Sequence, residues 1–135
     1  MAGSFADFLE LEVLDHVFSA ATYTAPATMH VGLSTTTITD AGGNITEPSG
    51  GSYARVSVTN NATNWPAAAA GAKANGAAFT FPAATASWGT VTDFFISDAA
   101  SGGNILCYGV LTTPKTIDSG DTASFAIGDF DITLD

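Results

Sequence analysis

The residues able to do acid–base, nucleophilic or metal chemistry are few in this chain, and they are scattered. His16 and His30 are its two histidines. Neither belongs to a His-x-x-x-His or His-Glu-x-x-His spacing, the arrangement that lets one helix face offer two ligands to zinc. Cys107 is the single cysteine, which excludes an intramolecular disulfide and a thiolate cluster. It lies in the apolar run Ile105-Leu106-Cys107-Tyr108, where a free thiol behaves as a small buried hydrophobe. No Gly-x-Ser-x-Gly elbow presents a nucleophile. The two Ser-Gly-Gly runs, 49–51 and 101–103, lack the spacing of phosphate-cradling loops and read as turns.

Acids offer more material. Asp118, Asp121, Asp129, Asp131 and Asp135 crowd the C-terminal segment, with Asp93 and Asp98 further back. Calcium takes about six to eight oxygens from carboxylates and carbonyls, and the loop Ile117 to Asp121 could supply two. The spacing does not match a calcium-binding Asp-x-Asp-x-Asp-Gly loop. Asp118-Ser119-Gly120-Asp121 is expected to be a turn, and Asp129 and Asp131 the outward half of an alternating strand. Trp65, Trp88 and Tyr53 could form a flat platform for a sugar, but aromatics equally dominate cores and interfaces. The reading is therefore of a non-enzymatic protein, with no catalytic residues, no cofactor and no metal.

The elements that carry these residues begin with a helix expected over Phe5 to Phe18. Ser4 reads as its N-cap, with Asp7 completing a short capping box. Phe5, Phe8, Leu9, Val13, Val17 and Phe18 form an apolar stripe broadened by Leu11 and Leu14, and Asp7, Glu10, Glu12 and Asp15 fill the other face. Its apolar side is expected to pack on its own sheet, or else to reach a neighbouring subunit. From Thr28 the pattern turns to β. Met29, Val31 and Leu33 alternate with His30, Gly32 and Ser34, and Val56 and Val58 face inward from a second strand. Further strands are expected near Ala78–Phe81, Val91–Ser97, Ile105–Leu111 and Ala123–Leu134. The last changes phase at Gly128, as a β-bulge would make it do.

This predicts a mainly β fold, an antiparallel β-sandwich of jelly-roll type preceded by one N-terminal amphipathic α-helix. Residues 1–27 form the helix and a connector arm, and 28–135 the sandwich with a long Ala/Asn-rich loop over 60–76. Four consecutive alanines, Ala67 to Ala70, could make one helical turn between Pro66 and Gly71. A loop of that length in a small domain is usually functional or disordered.

Composition narrows the partners. The chain has 135 residues, 46% hydrophobic and only 12% charged, with three Lys/Arg against thirteen Asp/Glu and a net charge of −10. Arg55, Lys73 and Lys115 cannot neutralise a run of phosphates, so a nucleic-acid partner is not expected. No basic and apolar leader opens the chain, and no stretch approaches the ~18 apolar residues of a membrane span. Synthesis in a cytoplasm, with no membrane partner, is expected.

Taken in order, several segments resemble a family of small virion proteins of tailed bacteriophages. They are Met1-Ala2-Gly3-Ser4-Phe5-Ala6-Asp7-Phe8-Leu9-Glu10, Val13 to Phe18, Tyr23-Thr24-Ala25-Pro26, Val31-Gly32-Leu33-Ser34-Thr35 and Gly51-Ser52-Tyr53-Ala54-Arg55. Phe81 to Thr92, Ser101 to Leu106 and Ser119-Gly120-Asp121-Thr122 continue the likeness, and residues 60–76 are its least similar part. The family's members are often described as tail-fibre proteins, and similar small β-rich proteins cement capsids from outside. The resemblance implies a structural role in the virion and brings no catalytic residues.

Lacking a repeat or a shaft, the chain is expected to be a cement protein on the capsid exterior, made in the host cytoplasm and bridging subunits of the major capsid protein. By analogy it would act as a homo-oligomer, most simply a trimer. Phe5, Phe8 and Leu9 on the helix and Trp65 on the long loop are the expected contacts. The alternative is a tail-fibre or tail-tip component that binds a host receptor or glycan.

Overall fold

The protein is described by a computed structural model covering residues 1–18 and 21–134. Strand β1 (Ala2–Phe5) runs directly into helix α1 (Asp7–Val17). It is followed by β2 (Thr28–Ser34), β3 (Val56–Thr59), β4 (Ala72–Lys73), β5 (Phe79–Thr80), β6 (Gly89–Ser97), β7 (Ile105–Ile117), β8 (Ser124–Phe125) and β9 (Asp131–Thr133). Among the described residues, seven strands form one sheet in the order β3-β2-β6-β7-β1-β9-β4, and β5 pairs with β8 in a small second sheet. The fold is mainly β with one helix near the N-terminus, as the alternation predicts.

Among the described residues every strand pairing is antiparallel but one. β1 lies between β7, antiparallel to it, and β9, parallel to it. Residues 2–5 are thus woven into the sheet, and the helix starts later than its apolar spacing suggests. Ala6, not Ser4, is the N-cap, with no side-chain capping bond. Ala6 can serve because backbone carbonyls take N–H groups at the helix start: Ala6 N–H donates to the Leu106 carbonyl, Asp7 N–H to the Asp40 carbonyl and Leu9 N–H to the Ala6 carbonyl. Asp7 and Glu10 remain in the first turn, where the helix dipole favours acids.

The inner face of the large sheet follows the strand period. Val31 and Leu33 of β2, Phe94 and Ile96 of β6 and Ile132 of β9 all lie in the core. The small sheet adds Phe79 and Phe125, and a chain of aromatic rings then runs through the molecule. Trp65 sits 5.2 Å from Phe79, Phe79 5.8 Å from Phe130, Phe130 4.7 Å from Phe94 and from Phe125, and Phe125 6.2 Å from Phe81. Phe81 continues it to Trp88 and Tyr53, centroids 6.3 and 6.2 Å away. These separations suit offset and edge-to-face packing.

The phase change near Gly128 has a different cause from the one expected. Phe125 belongs to the small sheet and Ile132 to the large one. Between them a turn closes with Asp129 N–H on the Ala126 carbonyl, Ala126 N–H on Asp129 Oδ2, and Gly128 at φ +80°. The chain changes sheets here, so its inward parity resets, and the register shifts lie instead in the β6–β7 pair.

The 60–76 segment is pinned by asparagines. Asn61 Oδ1 accepts from the Thr63 and Asn64 N–H groups, and Asn64 Nδ2 donates to the Thr59 carbonyl. Asn75, 1% exposed, donates to the Ala77 and Ala126 carbonyls and accepts from Phe130 N–H. Ala67 to Ala70 form no helical turn. Ala69 bridges Ala72 across a tight reversal, with Ala70 at φ +52° and Gly71 at +81°, the twist that hairpin turns favour.

Candidate interaction site

The four expected contact residues are placed differently from one another. Phe5 of β1 lies opposite Cys107 in register. With Phe8 and Leu9 of α1 it is half-buried against the core. Trp65 is 7% exposed, a rim member of the aromatic chain, and its indole Nε1–H has no acceptor among the described residues.

Phe5, Leu9 and Trp65 share one feature. The small sheet packs its Phe79 and Phe125 on Phe94 and Phe130 of the inner core and contributes no residue to the groove that Phe5, Leu9 and Trp65 line. Beside the small sheet, this apolar groove of ≈ 880 Å³ is lined by Met29, Ile96, Cys107 and Ile132 of the large sheet, Leu9 and Val13 of α1, and Trp65, Ala67 and Ala68 of the 60–76 segment. Of the described residues lining it, only Lys73 is charged. That is notable in a chain of net charge −10. Cys107 contributes an inert surface, because burial pushes its thiol up to about 12.

Helix α1 has a second apolar face that the fold leaves bare. Leu11, Leu14 and Phe18 are 63, 53 and 76% exposed, and at 3.6 residues per turn they align on one stripe. No residue of the helix is fully buried. This stripe was already visible in the sequence as Leu11 and Leu14 widening the apolar side. A helix with apolar residues around most of its circumference cannot hide them all against one sheet. The groove itself had no sequence signal, because it is made where the large sheet, α1 and the 60–76 segment meet.

Other candidate residues serve the fold. Trp88 is 4% exposed, donates from Nε1 to the Gly51 carbonyl and meets Tyr53 edge-on at 5.2 Å. Trp65 lies at the far end of the aromatic chain, so the three aromatics form no common platform. Asp118 N–H donates to Asp121 Oδ2, and Ser87 Oγ donates to Asp118 Oδ1. These carboxylates are tied to their own turn and its neighbour, while Asp135 lies outside the described residues. His16 Nδ1 accepts from Tyr23 N–H at 3.2 Å, and His30 Nδ1 lies 3.2 Å from Ser57 Oγ on the neighbouring strand. Among the described residues no three His, Cys, Asp or Glu side chains converge, and no helix is long and apolar enough to cross a membrane.

A β-rich body with an open apolar groove and a bare helical stripe has its most distinctive surfaces in contact-making features. The family model described as Podophage GP4 fiber I protein gp80 matches residues 4–133. The chain belongs to that family of phage structural proteins. A comparison with curated proteins finds no match.

Proposed function

We propose that the protein is a non-enzymatic subunit of a phage virion that acts by binding, as a component of a fibre or its attachment. The family match over nearly the whole chain carries this reading. The groove lined by Phe5, Leu9 and Trp65 is the contact surface, Phe8 packs against the core, and binding energy is the whole mechanism. Interfaces of standard size bury about 1,200–2,000 Å² in total, and symmetry repeats each one around an assembly. Several copies of the chain form the working unit.

A second reading is a cement protein on the capsid exterior, bridging copies of the major capsid protein. The two-sheet β body, with an apolar groove and a bare helical stripe to grip neighbours, favours it. Under this reading each added bridge must break before a pressurised shell opens. The net charge of −10 suits either site, since it disfavours packaged DNA.

Copy number on purified particles separates the two. A few to a few dozen copies, located at the tail by antibody labelling, support the fibre component. Hundreds of copies scaling with the major capsid protein support cement. Absence from purified particles overturns both.

A further inference from the structure

We propose that the apolar groove of one copy receives the Leu11–Leu14–Phe18 stripe of a second copy, joining chains head to tail. The inference rests on the reading of the chain as a multi-copy assembly subunit.

The stripe cannot fill its own groove. Leu9 and Val13 line the groove, and at 3.6 residues per turn they fall across the helix axis from Leu11, Leu14 and Phe18. Whatever covers the stripe therefore belongs to another molecule. Charge then selects the occupant. Asp7 and Asp15 flank the stripe and are exposed, and Glu10 lies beside it. The groove has no acid among its described lining residues and carries Lys73. Packing stripe against stripe would instead bring acids face to face with no Lys or Arg on the helix to offset them. An acid-flanked apolar helix laid into an acid-free groove is the complementary arrangement, in the helix-in-groove mode with anchors at i, i+3 and i+7.

Because donor and acceptor surfaces are distinct, the contact is heterologous. Repetition closes a ring if the rotation between copies divides a full turn, and otherwise propagates. The stripe and groove lie on opposite sides of α1, so one copy can use both at once.

The full chain tests this by sedimentation velocity and light scattering. A stripe variant, Leu14→Gln with Phe18→Ser, and a groove variant, Lys73→Glu with Leu134→Glu, change positions that are exposed or half-buried, and circular dichroism verifies that each folds. The wild type is expected to self-associate. Each variant alone is expected to lose affinity by roughly tenfold or more per anchoring side chain. Mixed together they should form a one-to-one dimer that grows no further, since one intact stripe meets one intact groove. A wild type that stays monomeric, a variant that assembles unchanged, or a mixture that stays monomeric would overturn the contact. If the dimer forms as expected but particles hold no copies of the chain, the contact stands and the virion reading falls.

Discussion

The ring of Phe95 occupies the space that a side chain at Gly32 would need: a Cβ built on Gly32 would lie 2.2 Å from Phe95 Cζ. The two residues face each other across the β2–β6 pair, Gly32 opposite Phe95. The Arg55 guanidinium covers the ring at 4.8 Å from its centroid. Phe94, next in sequence, does the same on the inner face, where a Cβ on Gly109 would come within 2.7 Å of its ring. Adjacent phenylalanines thus cover glycines on opposite faces of one sheet.

Gly32→Ala should therefore be destabilising, although alanine in place of a strand glycine ordinarily stabilises by restricting the unfolded chain. Forcing atoms into a filled site costs about 1–3 kcal/mol and sometimes more. Gly50→Ala is not a fair control, because Gly50 sits at φ +71°. Ser57→Ala, at an exposed position in the neighbouring strand, is the better one. Urea unfolding of both variants checks the difference, and equal midpoints would refute the packing argument.

Arg55 is expected to hold the outer face together. It donates to both Glu47 oxygens and to the Ala99 and Gly102 carbonyls, with its side chain 5% exposed. Breaking a fully buried pair costs about 3–5 kcal/mol. Glu47, at 28% exposure, can rehydrate, so Arg55→Met should fall at or below the low end of that range in chemical denaturation.

The same pair predicts a response to acid. Burial pushes the Glu47 carboxyl up, but hydrogen bonds from Arg55 and Tyr53 and the Arg55 charge outweigh it and hold the carboxyl below its ordinary value. A lowered folded value stabilises the fold fully above the ordinary carboxyl range, and that contribution is lost as pH falls through the lowered value. Thermal melts from neutral to strongly acidic pH should show a steeper loss for the wild type than for Glu47→Gln. Parallel curves would exclude this carboxyl as a source.

Asn75→Ala should be among the costliest single substitutions. It strands two carbonyls and the Phe130 N–H, and an unsatisfied buried group costs about 1–3 kcal/mol. Asn75→Asp should also fail, because its second oxygen replaces an amide that donates to two carbonyls. Melting temperatures of the two variants, both well below wild type, are the expected result.

Cys107 should resist alkylation in the folded protein at neutral pH, because burial holds its thiol at about 12 and little thiolate forms. Labelling is expected only after denaturant is added. Rapid labelling of the native chain would mean that the groove lining opens to solvent.

Much of this architecture is legible in local pattern. The alternation of Met29, Val31 and Leu33 marks β2 and its inward face because a strand repeats every two residues. The scarcity of His, Cys and paired acids, visible before any fold is known, leaves no catalytic motif to read. β1 is different: Ala2-Gly3-Ser4-Phe5 has no alternation, and its strand character comes from β7 and β9 on either side. Propensity then misplaces the helix start at Ser4, since nearby carbonyls and not a side chain cap the first turn.

The long loop shows the same limit. Asparagines and alanines over 60–76 suggest a free connection, yet Asn75 binds groups at 126 and 130 that are remote in sequence. Hydrogen bonds of that reach leave no local periodicity to read.

Sequence alone determined that this is a β-rich, acidic chain with an amphipathic helix, because composition and short-range period carry those facts. Tertiary structure decided which apolar residues are spent. It drew Trp65, Trp88, Phe79, Phe81, Phe94, Phe125 and Phe130 into one core, left Leu11, Leu14 and Phe18 bare, and opened a groove beside the small sheet. Burial is a property of how elements meet, and no single segment encodes it.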